Sequence, residues 1–211
     1  MLLYKTVAKR AQAEQVIDRS RFISYVCPVE SREEAELFIE DIKSLQKQAT
    51  HNVPAFIIGR NQELKWASDA GEPQGTSGPP MLAYLEKEEL TNLVVVVTRY
   101  FGGIKLGTGG LVRAYSSSAK LAVEAAGIAE AREMMTLSVG TDYSILPKLQ
   151  NMAMQQGSDF SIGEISYTDQ VTLNLSCDVE NADRVRQTLA NISNGTARIL
   201  MEEKGIITVE I

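Results

Sequence analysis

Residues 92–127 read NLVVVVTRYFGGIKLGTGGLVRAYSSSAKLAVEAAG, and three patterns follow one another along them. Leu93 to Val97 is an unbroken apolar, largely β-branched run, the composition of a buried strand, and it ends in Thr98 and Arg99. A turn follows that holds Gly102, Gly103, Gly107 and Gly109, with Gly110 at its edge. Beyond it Tyr115, Ala119, Ala122 and Ala126 recur at three- and four-residue spacing, which predicts a helix with one small-residue face. The stretch therefore reads as strand, glycine loop, helix. That order aims backbone N–H groups and the positive end of a helix at whatever occupies the loop. From Arg99 to Arg113 the charged residues are Arg99, Lys105 and Arg113, a local +3 in a chain of net charge −6. The loop is expected to form one wall of a site, with a small anion at 102–110 as a candidate occupant.

Working outward, DAGEPQGTSGPP at 69–80 cannot be regular helix or strand, because its glycines and prolines demand special backbone angles. Pro79-Pro80 suits the first turn of a helix running to about Lys87. Strands are expected at 2–7, 12–18, 20–29, 53–60 and 64–68, the last two joined at Asn61-Gln62. Ser31 and Glu34 form a capping box for a helix to about Gln48, with Ala35, Phe38, Ile42 and Leu45 as its buried stripe. His51-Asn52 falls in the turn after it.

A new pattern starts near Met134. A strand at 134–141, a helix at 144–156, strands at 159–167 and 170–178, a helix at 180–193 and a strand or strand pair at 196–210 follow in order. Tyr167 to Gln170 is the expected hairpin turn, Lys204-Gly205 a further turn or bulge, and Met152 and Met154 packing residues. This is the β-α-β-β-α-β order of a ferredoxin-like domain. The expected organisation is thus α+β with two domains, 1–131 and 132–211, without a Pro/Gly/Ser linker between them.

Composition narrows the function. No apolar run approaches the roughly 20 residues of a bilayer span, and MLLYKTVAKR lacks a secretory apolar stretch, so no membrane role is expected. Cys27 and Cys177 are isolated, which suits a reducing compartment, and the expected location is cytoplasmic. Residues 1–131 carry 15 basic and 16 acidic side chains, and residues 132–211 carry 6 and 11. The acidic second part is a poor candidate for non-specific nucleic-acid binding.

Two nucleotide motifs fail on inspection. Gly102 to Gly107 has the P-loop gap, but Thr108 stands where Lys is required; Gly107-Thr108-Gly109 begins a dinucleotide fingerprint, but Val112 replaces its third glycine. What survives is an anion nest at a helix start, set against a turn needed only for packing. Asp69 and Glu72 are candidates for acid–base work, but carboxylates in turns more often accept loop N–H groups, and two are too few for a metal cage. His51 is the only histidine. It reads first as a structural hydrogen-bonding residue and second as a base. Tyr100-Phe101 is assigned to the core rather than to base stacking. No cofactor and no metal centre are expected.

RSRFISYVCPVESREEAELFI, ATHNVPAFIIG, SDAGEPQGTSGPPML and VVVVTRYFGGIKLGTGGLVRAYSSSAK, in that order, resemble the signatures of the IMPACT family, called the YigZ family in bacteria. The likeness covers about residues 15–125, and the remainder is similar to the ferredoxin-like domain of bacterial members. It implies an N-terminal β-α fold of the ribosomal protein S5 domain 2 class. It also implies a link to translation, since eukaryotic relatives compete for the activator of an initiation-factor kinase. The matching positions are Arg21, Phe22, His51, Asn52, Asp69, Gly71, Glu72, Pro73, Gly75, Thr76, Gly78, Arg99 to Gly103, Lys105 to Gly107, Gly109, Gly110, Arg113 and Tyr115. The chain departs at Ala70, where a second acid is common, and at Arg21, where Lys is usual; the first departure weakens a two-carboxylate mechanism.

The reading that follows is a regulatory binding protein engaging a protein or structured RNA of the translation apparatus. Its docking face would comprise His51, Asn52, Asp69, Glu72, Arg99, Lys105 and Arg113, beside the anion loop of Gly102, Gly103, Gly107, Gly109 and Gly110. The alternative is a hydrolase-type enzyme with its cleft between the 69–78 and 99–113 loops. There His51 would be the base, Asp69 or Glu72 its orienting partner, and the loop amides with Lys105 or Arg113 an anion hole. The C-terminal domain is a candidate sensor or dimerisation module, which leaves a homodimer open.

Overall fold

The computed structural model describes residues 2–167 and 170–211, and the chain clusters into two compact units. One is Tyr4–Ala131 with Thr208–Ile211; the other is Arg132–Ile207 with the start of the first strand. The architecture is α+β with two sheets.

In chain order the first unit holds β1 (Leu2–Val7), β2 (Ala11–Ile17), β3 (Ser20–Pro28), α1 (Arg32–Leu45), β4 (His51–Ile58), β5 (Leu64–Ala67), α2 (Gly78–Lys87), β6 (Leu93–Tyr100) and α3 (Gly107–Ala126). Its antiparallel sheet runs β2-β3-β6-β4-β5. The Leu93–Val97 run lies at the centre, and strand alternation explains why every residue in it is apolar. Leu93, Val95 and Val97 enter a core shared with α2 and α3. Val94 and Val96 enter a second core shared with α1. The sheet is covered on both faces, so β6 has no solvent side to mark with polar residues.

The same parity runs through the neighbours. Phe22 and Val26 of β3, and Val53, Ala55 and Ile57 of β4, join the α2–α3 core. Ile23, Tyr25, Phe56 and Ile58 join the α1 core. Pro54 is tolerated in β4 because pairing with β5 begins only at Ala55. β2 and β3 meet through Asp18 and Arg19, both with positive φ, the two-residue hairpin geometry that matches strand twist. α3 packs through Ala114, Tyr115, Ala119, Ala122 and Ala126, all fully buried.

Several boundaries differ from the sequence reading. His51 and Asn52 open β4 instead of lying in a turn. α1 ends at Leu45, where the Gln46 side chain leaves the helix to bond the Tyr25 and Tyr100 hydroxyls. Leu45 is exposed, and Ile39 completes the buried stripe in its place. Ser31 caps Glu34 N–H as expected, but the Glu34 carboxylate reaches Glu30 N–H, not Ser31. Gly109 and Gly110 belong to the first turn of α3 and not to the preceding loop.

The second unit follows β7 (Ile128–Thr141), α4 (Leu146–Ala153), β8 (Ser161–Tyr167), β9 (Val171–Asp178), a 3-10 turn at Val179–Asn181, α5 (Ala182–Ser193) and β10 (Arg198–Glu210). The sheet has five strands in the order β1-β7-β9-β8, with β10 also pairing with β7, and within it β10-β7-β9-β8 is the order expected of β-α-β-β-α-β connectivity. Its core gathers Leu137, Val139, Leu149, Leu173, Leu175, Val185 and Leu189. β7 begins six residues earlier than the pattern predicts, and β10 is one continuous strand through Lys204-Gly205. Met154 is exposed, so of the two methionines only Met152 packs. The expected turn at Tyr167 to Gln170 includes Thr168 and Asp169, which lie outside the described residues.

Candidate functional site

The site begins as a row across three strands. Phe22 of β3 and His51 of β4 are both register partners of Arg99 in β6. Parity puts all three side chains on the α2–α3 face, two residues past Val97. A guanidinium at the end of an apolar run must find a counter-charge or leave the core. Arg99 is 5% exposed and donates from Nη1 to Glu72 Oε1 at 2.7 Å, while Nη2 reaches Ser20 Oγ at 3.3 Å. Its carbon lies 5.5 Å from the Phe22 ring centre and 5.4 Å from that of Phe101, a cation–π sandwich.

Glu72 is brought to this row by the loop between β5 and α2. Tyr115 Oη, from the third turn of α3, donates to the same Oε1 at 2.7 Å. Burial, followed by the hydrogen bond to Glu72 and its charge, holds the Tyr115 hydroxyl far above the usual phenol range, so it stays a donor. Glu72 Oε2 has no hydrogen bond and faces His51 Nε2 at 3.8 Å. His51 Nδ1 lies 2.9 Å from the Ala70 carbonyl oxygen, which can only accept. The ring proton of the neutral imidazole therefore sits on Nδ1, and Nε2 presents its lone pair.

These groups border a pocket of about 480 Å³ lined by Thr50, His51, Glu72, Pro73, Arg99, Phe101, Lys105, Leu106, Gly107, Thr108 and Leu111. Its size and largely apolar lining fall within the range of small-ligand sites. The start of α3 forms one wall. Leu106 at its N-cap offers no capping side chain, and no acidic residue stands in the first turn, so the helix end keeps its positive character.

The candidate residues divide clearly. His51, Glu72, Arg99, Lys105 and Gly107 converge on the pocket. Asp69 does not: its carboxylate accepts from Gly75 N–H, Ser77 N–H, Ser77 Oγ and Gly78 N–H at 2.8–3.1 Å, and so caps α2 from a distance. Burial raises the Asp69 pKa, but these four bonds outweigh it and hold the carboxyl below its ordinary value. Asn52, one residue from His51, points to the opposite sheet face, bonded to Thr98 Oγ1 and the Gln46 carbonyl. Arg113, Gly102, Gly103, Gly109 and Gly110 do not line the pocket. Gly102 instead lets the chain pass Arg19: a Cβ there would stand 1.9 Å from the Arg19 carbonyl oxygen.

Sequence reasoning missed Tyr115 and Ser20 as polar partners, and it assigned Phe101 to the core although that ring is 47% exposed on the pocket. The parity of Arg99 with Val95 and Val97 was the available signal, because it directs the guanidinium at α3. Among the described residues, no group of three or more His, Cys, Asp or Glu side chains could hold a metal ion. Among the same residues, no helix is long and apolar enough to cross a membrane.

The Impact N-terminal domain family matches residues 18–123, and a family described as a domain of unknown function (DUF1949) matches residues 139–196. The chain is 38% identical over 196 residues to IMPACT family member YvyE of Bacillus subtilis (strain 168), covering 93% of this chain and 89% of that protein. It is 31% identical to IMPACT family member YigZ of Escherichia coli (strain K12), covering 89% and 92% respectively. A crystallised hypothetical protein, 28% identical, superposes with a TM-score of 0.60 over 100% of this chain and 98% of its own. With the Impact N-terminal domain matched across half its length and full-length relatives above 30% identity, the chain belongs to the IMPACT family.

Proposed function

We propose that this IMPACT-family protein is a cytoplasmic, translation-linked regulatory protein whose first unit engages a protein or RNA partner by seating an acidic group of it in the Lys105 pocket. One observation carries the reading. Of the charged residues lining the pocket, Glu72 and Arg99 neutralise each other, leaving the Lys105 ammonium and the uncapped start of α3 as its positive side. Membership of the IMPACT family supplies the setting. The test is retention of ribosomal fractions and total RNA on immobilised full-length protein, compared with Lys105→Glu. The wild type should retain a partner and the variant should lose at least tenfold of it. Equal retention by both, or none by either, would refute the reading. A steep fall with salt would identify phosphate contacts.

A second reading is supported by the His51 tautomer. With Nδ1–H fixed on Ala70, Nε2 is available as a general base beside Glu72, across the pocket from Lys105 and the helix start. This is hydrolase-type geometry in which Asp69 has no part. Turnover of a broad phosphate- and carboxyl-ester panel that disappears in His51→Gln would support it; a rate unchanged in that variant would eliminate it.

A further inference from the structure

We infer that the group received by the pocket is a nucleotide carrying an amino-bearing base, its amino group on Glu72 and His51 and its phosphate at Lys105 and the start of α3. The inference rests on the docking reading above and names its ligand. Glu72 Oε2 is the key atom: its side chain is 3% exposed, it lines the pocket, and it has no hydrogen-bond donor. With Oε1 taken by Arg99 and Tyr115, Oε2 is the carboxylate oxygen left open to the pocket, and it can accept from a donor placed there. Beside it, at 3.8 Å, stands His51 Nε2, which becomes a second acceptor in the uncharged ring whose proton is held on Nδ1 by the Ala70 carbonyl.

Two acceptors that far apart cannot bond each other, but one NH2 group placed about 3 Å from each can donate to both. The charge of Glu72 is already balanced by Arg99, so a neutral amino group suits the pair better than an ammonium ion. The rest of the pocket asks for different chemistry. Phe101, Leu106 and Leu111 offer an apolar wall, with the Phe101 ring half exposed for stacking. Lys105 and the first N–H groups of α3, which have no capping side chain, call for an anion. A neutral NH2 donor, a flat aromatic body and an anionic end together describe nucleotides of adenine, cytosine or guanine, the bases with an exocyclic amino group. Uracil and hypoxanthine present a carbonyl where the amino group should be, and that oxygen would oppose both acceptors.

Isothermal titration of the full chain with AMP, IMP, CMP, UMP and adenosine tests this directly. AMP and CMP should bind at least tenfold more tightly than IMP and UMP. Lys105→Glu, an exposed loop substitution, should weaken AMP at least tenfold while changing adenosine little. A five-residue oligoadenylate separates the sources: tighter binding than AMP assigns the site to an unpaired RNA nucleotide, weaker binding to the free nucleotide, and both carry the same chemistry. Equal affinity for AMP and IMP, no nucleotide binding, or indifference of AMP to Lys105→Glu would overturn the inference. If nucleotides fail while Lys105→Glu still abolishes retention of a ribosomal partner, only the ligand assignment falls and the docking reading survives.

Discussion

Arg99 and Glu72, 27 residues apart in sequence, meet at 2.7 Å with side chains 6% and 3% exposed. Replacing either partner alone strands the other charge in a desolvated place. Arg99→Met should therefore destabilise the first unit by about 3–5 kcal/mol, and adding Glu72→Gln should recover part of that loss. Trp66, the only tryptophan, lies in β5 and stacks on Phe56, so its fluorescence during urea unfolding follows this unit alone. A double variant no more stable than Arg99→Met would contradict the pairing.

Tyr115→Phe keeps the ring packed edge-on against Phe22 and removes only the donor to Glu72. A hydrogen bond to a charged group contributes about 1.5–3 kcal/mol, and that loss is expected in the same urea experiment. In a Glu72→Gln background the effect should shrink, since the acceptor is no longer charged.

Asp69 gives the stability a dependence on acid. Its folded pKa lies below the unfolded one, so its contribution is complete above the unfolded value of about 3.9 and is lost as pH falls further, through the lower folded value. Asp69→Asn removes the charge at the start of α2 and should cost about 1 kcal/mol at neutral pH. The gap between wild type and variant should narrow as the medium is acidified below that value, as followed by denaturant midpoints. A constant gap would show that the carboxylate does not act through its charge.

Gly102 and Gly107 should respond differently to alanine. At Gly102 the new methyl meets the Arg19 backbone at 1.9 Å, and overpacking of this kind costs about 1–3 kcal/mol or more. At Gly107 nothing stands within 4 Å, and only the φ of +69° resists, worth about 1–2 kcal/mol. Thermal melting of the two variants should place Gly102→Ala lower, and the reverse order would refute the close approach.

A single histidine makes the tautomer measurable without assignment. Nitrogen-15 NMR, at a pH where the imidazole is uncharged, should show Nδ1 protonated and Nε2 bare. The opposite pattern would remove both the amino-group acceptor and the general base.

The sequence made the sheet legible because β6 announces itself: five apolar residues in a row fit only a strand covered on both faces. The capping box at Ser31 and the prolines opening α2 were equally local signals. Asp69 and Glu72 were harder. Three residues apart in one loop, they looked like a pair, yet the chain between them turns through positive φ at Ala70 and Gly71. One carboxylate thereby faces α2 and the other faces Arg99. His51 and Asn52 were separated in the same way, by the pleat of β4. The glycine motif suggested a wide anion loop, but three-dimensional placement left only Gly107 on the pocket, and Tyr115 hid among the alanines of α3. Contacts between distant segments have no local pattern to betray them.

Because the row Phe22, Arg99, His51 is held by strand register, the site obeys a rule of parity. Inserting one residue within β4 on the His51 side of the β5 pairing would rotate Asn52 onto the pocket face and send the imidazole toward α1, erasing the site with the composition almost intact. Inserting two would restore the facing while moving the histidine one step along the ladder. Length changes near this strand are thus odd-or-even events, whereas the Gly59–Glu63 bend, outside the rungs that align Arg99, can lengthen without touching the count.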